Sequence, residues 1–174
     1  IENEPEIVSI WNKAKRKLIL IGGINEANSV DAAILKNFAK DPSIVVLTET
    51  TSNLHNPSFI SSIDSLITPF DDDDFNDFQP ELLITFGGMI VSKRIKAFLR
   101  KHKPANHWHI DTLRAYDTFN ALSKHFVMEP NDFFKDLFSK TSFVKSNYFK
   151  NIDTVYKTRL ERRTEYLSKI GFSD

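Results

Sequence analysis

The 174-residue sequence contains no cysteine, which excludes a disulfide framework, a thiolate metal site and a cysteine nucleophile, and fits a reducing, cytoplasmic setting. It also lacks an excess of charge. Lys plus Arg and Asp plus Glu are equal at 23 each, so no overall field draws the chain to nucleic acid or an anionic membrane, and electrostatic recognition has to be local. Long apolar runs are missing: the longest, Lys17 to Ile24 with its one Lys, falls far short of the roughly 20 residues of a membrane helix. No basic, apolar leader opens the chain, and Ile1 is followed by the acidic stretch Glu2 to Glu6 rather than preceded by an initiator Met, so the sequence reads as a piece of a longer polypeptide. There is no internal repeat, no low-complexity tract, no Ser-His-Asp order, no paired-carboxylate spacing and no Cys/His metal pattern.

What is present is a chain of 41% hydrophobic residues, long enough for one domain with a sizeable core and too short to divide comfortably into two. Short β-branched runs recur: Leu18-Ile-Leu-Ile-Gly22, Ile44-Val-Val-Leu-Thr48, Leu66-Ile-Thr68, Leu82-Leu-Ile-Thr-Phe86 and His107-Trp-His-Ile110. Stretches of helical periodicity follow them, as in βαβ units. The runs are near-continuously apolar, which suits a parallel sheet buried on both faces. The expected fold is therefore α/β: a three-layer, doubly wound, Rossmann-like domain with a mainly parallel sheet. Val30, Ala33, Ile34, Leu35 and Phe38 have helical spacing between Ser29 and Ala39, with Asp41-Pro42 as the stop, and a second helix is expected from about Ile90 to Lys101.

From Asn131 to Gly171 no Pro or Gly interrupts the chain, and Tyr148, Ile152, Val155, Tyr156, Leu160, Leu167 and Ile170 follow a broadly helical spacing. The expectation is a long charged helix from about residue 143 that leaves the domain. Arg159, Arg162 and Arg163 suggest a nucleic-acid face, but Glu161 and Glu165 interrupt it, which favours a connector or packing helix. The organisation expected is residues 1–140 as the Rossmann-like domain and 141–174 as a helical connector. The acidic run Asp71 to Asp74 reads as a solvated loop or a helix start; nothing supports a metal there.

Ligands of open α/β sheets bind beyond the carboxyl ends of the strands, which directs attention to Thr85-Phe-Gly-Gly-Met-Ile-Val-Ser-Lys-Arg94. Gly87 and Gly88 permit a tight exit from the strand and close approach of backbone to a ligand, and the following helix offers free N–H groups to an anion. On a helical wheel Ile90, Val91, Ile95, Phe98 and Leu99 share one arc, Lys93, Lys96 and Arg100 lie opposite, and Arg94 falls inside the apolar arc. Cations in a first turn are opposed by the helix dipole, by about 0.3–1 kcal/mol for each exposed charge. Lys93 and Arg94 break that rule together, and an anionic ligand would offset the cost. A solvated Lys and an Arg whose stem packs at the core edge explain the same residues equally well. The loop is not a Walker A motif, having no Gly directly before the Lys, and Ile21-Gly-Gly-Ile-Asn-Glu26 lacks the third Gly of a dinucleotide fingerprint. Glu49 or His55, in Thr48-Glu-Thr-Thr-Ser-Asn-Leu-His55, has acid–base capacity, but that composition is also ordinary turn and cap chemistry. His102, His107 and His109 invite a metal reading; residues 107 and 109 would share one face of a strand while His102 belongs to the preceding helix, so packing is favoured.

At Val46 to His55, Phe78 to Arg94 and His107 to Asp111 the sequence resembles the Bacteroidetes type of the 2-succinyl-5-enolpyruvyl-6-hydroxy-3-cyclohexene-1-carboxylate (SEPHCHC) synthases of menaquinone biosynthesis, and the resemblance covers essentially the whole chain. It implies the middle of three α/β domains of a thiamine-diphosphate- and Mg²⁺-dependent transferase that decarboxylates 2-oxoglutarate and adds the resulting unit to isochorismate. It implies as partners the other two domains of the same polypeptide, in a homo-oligomer, dimer or tetramer. No Gly-Asp-Gly occurs in the chain, so the diphosphate-binding motif is missing, no cofactor is expected on this chain and the isolated chain is expected to be inactive. The resemblance further implies that Lys93 and Arg94, after Ser92, hold substrate carboxylates without being catalytic; Ser92, Gly88, Ser52 and Asn53 are candidate supporting residues with no specific role assigned. A free-standing Rossmann-type nucleotide- or metabolite-binding module is the alternative.

Overall fold

The structure, a computed structural model, describes residues 1–170. Five strands form one sheet: β1 (Lys17–Ile21), β2 (Ile44–Thr48), β3 (Leu82–Phe86), β4 (Asn106–Ile110) and β5 (Leu122–Phe126). All pair in parallel in the order β2-β1-β3-β4-β5, so Ile19 lies between Val46 and Ile84. Every residue of β1, β2 and β3 is buried. That is the physical reason for their near-continuous apolar runs: both faces are covered and no position alternates to water.

Two layers of helices provide the cover. On one face α1 (Glu4–Lys13), α2 (Ala32–Lys40) and α6 (Pro130–Phe138) pack Ile7, Trp11, Ile34, Phe38, Phe133 and Phe134 against Ile19, Val46, Ile84 and Trp108. On the other α3 (Ile63–Ile67), α4 (Asp72–Phe78), α5 (Lys93–Lys101) and α7 (Tyr148–Ile170) pack Leu66, Phe78, Phe98, Leu99 and Ile152 against Leu18, Leu20, Val45 and Leu83. Each fully buried Leu, Ile or Phe contributes roughly 1.5–3 kcal/mol. The three-layer α/β architecture and the long C-terminal helix are as the sequence leads one to expect. Among the described residues no helix is long and apolar enough to cross a membrane.

Several elements differ from expectation. Leu66-Ile-Thr68 is not a strand but the end of α3, because Ile63, Leu66 and Ile67 are spaced i, i+3, i+4 and all three are buried on one helical face. The Leu66 N–H donates to the Ser62 carbonyl at 3.1 Å, and Thr68 Oγ1 donates to the Asp64 carbonyl at 2.5 Å. The fifth strand is instead Leu122–Phe126, an edge strand whose polar Ser123, Lys124 and His125 are open to solvent in whole or part and which ends on buried Phe126, so it carries no apolar run. Helix α5 begins at Lys93, not near Ile90, with Ser92 as its N-cap. Helix α7 begins at Tyr148 rather than about residue 143, where Ser146 Oγ accepts the Tyr148 N–H at 3.0 Å. The acidic run Asp71 to Asp74 is, by contrast, the helix start that its sequence allowed: it opens α4 as a capping box, in which Asp71 Oδ1 accepts the Asp74 N–H at 2.8 Å and Asp74 Oδ2 accepts the Asp71 N–H at 3.1 Å.

Helix α7 is held to the domain at its start. Tyr148 is buried and its hydroxyl donates to the Phe78 carbonyl at 2.7 Å, an arrangement in which burial pushes the phenol pKa up. Arg159 lies over the Phe70 ring at 4.9 Å, donates to the Leu66 carbonyl and pairs with Asp74 at 3.6 Å. From Leu160 to Ile170 every residue is exposed. The last four residues of the expected 141–174 segment lie outside the described residues.

Candidate functional site

Chain direction across the sheet reverses between β1 and β3, since β1 leads to β2 on one side and the chain then crosses to β3 on the other. Such a switch point is where α/β sheets commonly bind ligands. Here backbone closes it. The Gly88 N–H donates to the Gly23 carbonyl at 2.7 Å, and the Gly22 N–H donates to the Phe86 carbonyl at 2.9 Å. A Cβ at Gly22 would stand 2.0 Å from the Gly88 oxygen, and Gly87 takes φ of 82°. These glycines let two chain segments touch, and the close approach seen is between the β1 and β3 loops.

The start of α5 is also occupied from within. Glu49, at the carboxyl end of β2, accepts the Val91 N–H at 2.8 and 2.9 Å and the Ser92 N–H at 2.7 Å. Ser92 Oγ accepts the Ile95 N–H at 3.2 Å and donates to Asp64 Oδ1 at 2.6 Å. Glu49 therefore serves as the anion at this helix N-terminus, an assignment its place in a turn-like sequence did not disclose. Thr48, Glu49, Ser62, Ile63, Val91 and Ser92 are among the residues that line a hollow of about 350 Å³ at this junction.

Lys93 and Arg94 fill the first two helical positions of α5 and are both exposed. The buried face of α5 is Ile95, Phe98 and Leu99, so the Arg94 stem does not pack into the core. Val91, placed on the apolar arc by the wheel, precedes the helix and is 64% exposed. Among the described residues neither Lys93 nor Arg94 has a carboxylate partner within ion-pair distance. Arg94 lines a cleft of about 760 Å³ between α3, α5 and α7, opposite Arg159, Arg162 and Arg163, with Asp64 as the carboxylate on its wall. Lys93 is not among the residues that line it. The arginines of α7 reach this cleft because the helix crosses α3 before it departs, a tertiary relation that the charge pattern of residues 159–163 could only suggest.

The remaining candidates take other positions. Ser52 is buried and its hydroxyl donates to the Ile21 carbonyl at 2.7 Å while accepting the Glu49 N–H at 2.9 Å. Asn53 sits at φ 52°, a conformation its side chain tolerates, and its Nδ2 donates to the Ile24 carbonyl at 2.6 Å. Both therefore tie the β2 loop to the β1 loop. His55 is exposed. His102 stacks on Phe75 and Phe98 at 5.4 and 5.3 Å, apart from His107 and His109, which share one face of β4 with Thr85 between them. Among the described residues no group of three or more His, Cys, Asp or Glu is arranged to hold a metal ion.

Comparison with known proteins adds identity to this geometry. Residues 4–166 match a family model described as "Middle domain of thiamine pyrophosphate". The chain is 79% identical over its whole length to a 2-succinyl-5-enolpyruvyl-6-hydroxy-3-cyclohexene-1-carboxylate synthase of Flavobacterium johnsoniae, of which it covers 31%. It is 55% identical over its whole length to the Flavobacterium psychrophilum protein of the same name, covering 32% of it. A Porphyromonas gingivalis protein of that name is 36% identical over 75% of the chain, which covers 22% of that protein. The chain thus spans about a third or less of these curated relatives.

Proposed function

The chain belongs to the family of thiamine pyrophosphate enzyme middle domains, and from that premise we propose that it is the central domain of a SEPHCHC synthase, contributing cationic side chains to a site that other domains of the same polypeptide complete. In this reading the whole enzyme decarboxylates 2-oxoglutarate and adds the unit to isochorismate in menaquinone biosynthesis. Residues 1–140 form the central domain, and 141–174 lead toward the next one.

The observation that carries the proposal is the pair Lys93 and Arg94: two exposed cations in the first turn of α5, without carboxylate partners among the described residues. Glu49 already occupies the Val91 and Ser92 N–H groups, and the exposed Lys93 and Arg94 side chains that follow are the groups assigned to a substrate carboxylate. Arg94 offers a planar, bidentate fork and Lys93 a mobile point charge. Ser92 fixes where the turn begins, and Gly88, Ser52 and Asn53 hold the loops that present it.

The residues of this chain do not fit a Mg²⁺–diphosphate pair: the sequence has no Gly-Asp-Gly, and the described residues contain no metal-ligating cluster. We assign thiamine diphosphate, which supplies the carbanion chemistry when bound, and Mg²⁺ to the rest of the polypeptide, in a homo-oligomer. The closed Gly22–Gly88 contact supports this over a free-standing dinucleotide-binding module.

The test is an assay of the complete polypeptide and of this chain alone with 2-oxoglutarate, isochorismate, thiamine diphosphate and Mg²⁺. The complete polypeptide is expected to form product and the chain alone none. Product from the isolated chain, or none from the complete polypeptide, overturns the proposal.

A further inference from the structure

A second cavity, of about 440 Å³, opens at the carboxyl ends of β3 and β4; it shares no lining residue with the Arg94 cleft, and its Gly88 and Ile90 belong to the loop that leads into Lys93 and Arg94. Phe86, Ile90 and Phe119 give it apolar walls; Thr85, His107 and His109 form its polar floor. Its volume is within the range of small-molecule sites.

The floor has a constrained hydrogen-bond logic. Thr85 Oγ1 is 2.8 Å from His107 Nε2 and 2.7 Å from His109 Nδ1, and Thr85 and His107 are 5% and 1% exposed. A hydroxyl has one proton and two lone pairs, so it donates to one ring and accepts from the other, or accepts from both. If Thr85 donates to His107 Nε2, the His107 proton is on Nδ1 and His109 Nε2 is an acceptor. In the opposite arrangement His107 Nδ1 is the acceptor and His109 Nε2 carries the proton. The two outer nitrogens differ in character in both of these arrangements, and both are acceptors where Thr85 accepts from the two rings. Burial holds both rings below the ordinary imidazole pKa, His107 down to about 4, so they are neutral near pH 7.

His107 Nδ1 is buried and has no hydrogen-bond partner among the described residues. Buried polar atoms are rarely left so, since an unmade bond costs its desolvation. The cavity rim carries Asp111, held ionised by the N–H groups of Leu113 and Arg114, and Arg114, whose guanidinium lies 5.4 Å from the Tyr116 ring. The opposite charges of Asp111 and Arg114 leave no net preference for an ionic ligand. Phe119, with its ring centroid 5.5 Å from that of His107, supplies a flat surface.

We propose that this cavity binds a small, uncharged, planar molecule bearing a carboxamide or lactam, its ring against Phe119 and its amide on the outer nitrogen of His107. An amide carries both a donor and an acceptor and so satisfies that nitrogen in either proton arrangement, whereas a carboxylate offers acceptors alone and brings a charge into an apolar space.

The experiment uses benzamide as probe, titrated calorimetrically into the complete polypeptide, with benzoate as the charged isostere. Saturable binding at one site per chain is expected, at least tenfold weaker for benzoate. His107→Phe, which keeps the flat ring and removes both nitrogens, is expected to weaken benzamide at least tenfold. Ile90→Trp, which fills the cavity from a half-buried loop position and so does not depend on a core substitution being tolerated, is expected to abolish it. Absence of saturable binding overturns the proposal, as does benzamide affinity unchanged in either folded variant.

Discussion

The carboxylate of Glu49, at the end of β2, accepts the backbone N–H of Ser92 at 2.7 Å and so ties the second strand of the sheet to the start of α5. The Lys93–Arg94 turn is presented by this internal anion. Glu49→Ala is expected to lower stability by about 1–2 kcal/mol, the scale of a charged cap partly open to solvent. Glu49→Gln, which keeps one acceptor, should lie between. Urea unfolding midpoints measure this, and an Ala variant with an unchanged midpoint contradicts the role.

The glycine contact between the β1 and β3 loops yields a paired prediction. A methyl at position 22 would meet the Gly88 carbonyl at 2.0 Å, whereas one at position 23 meets nothing nearer than Thr51 Oγ1 at 3.7 Å. Gly22→Ala is expected to destabilise by about 1–3 kcal/mol or more, because backbone on both sides must part. Gly23→Ala should be near neutral. Equal melting temperatures for the two variants would show that the loops do not touch in this way.

Acid should weaken the fold through His107. Burial lowers its pKa to about 4 from the ordinary 6.5, so the unfolded chain takes up this proton first as pH falls. The unfolded state binds more protons between these values, and stability is lost as pH drops from about 6.5 to about 4. Above pH 6.5 this residue contributes no slope. Plots of stability against pH across that range should be steeper for the native chain than for His107→Phe. Parallel pH profiles would contradict a neutral, buried ring.

Legibility in the sequence followed burial. Strands β1, β2 and β3 stand out because both faces are covered and each run is mostly apolar, interrupted only by Lys17, Thr48 and Thr85. Strand β5 does not, because an edge strand with Ser123, Lys124 and His125 looks like a loop when its neighbours are unknown. Leu66-Ile-Thr68 imitates a strand by composition, and only the i, i+3, i+4 spacing from Ile63 reveals a helix. At the site, Lys93 and Arg94 were visible as a local conflict between charge and helix dipole. Glu49 was visible as a residue and not as a cap, since its partners lie 42 and 43 positions away. The Thr85–His107–His109 group likewise depends on the pairing of β3 with β4.

Steady-state kinetics of Lys93→Ala and Arg94→Ala in the complete polypeptide decide whether this pair recognises substrate. Loss of one charged hydrogen bond, about 1.5–3 kcal/mol, corresponds to a fall of roughly 10- to 150-fold in kcat/KM. A fall of that size for 2-oxoglutarate or isochorismate is expected in each variant, with thiamine diphosphate affinity unchanged. Unaltered kinetics for both substrates in both variants would contradict substrate recognition by Lys93 and Arg94.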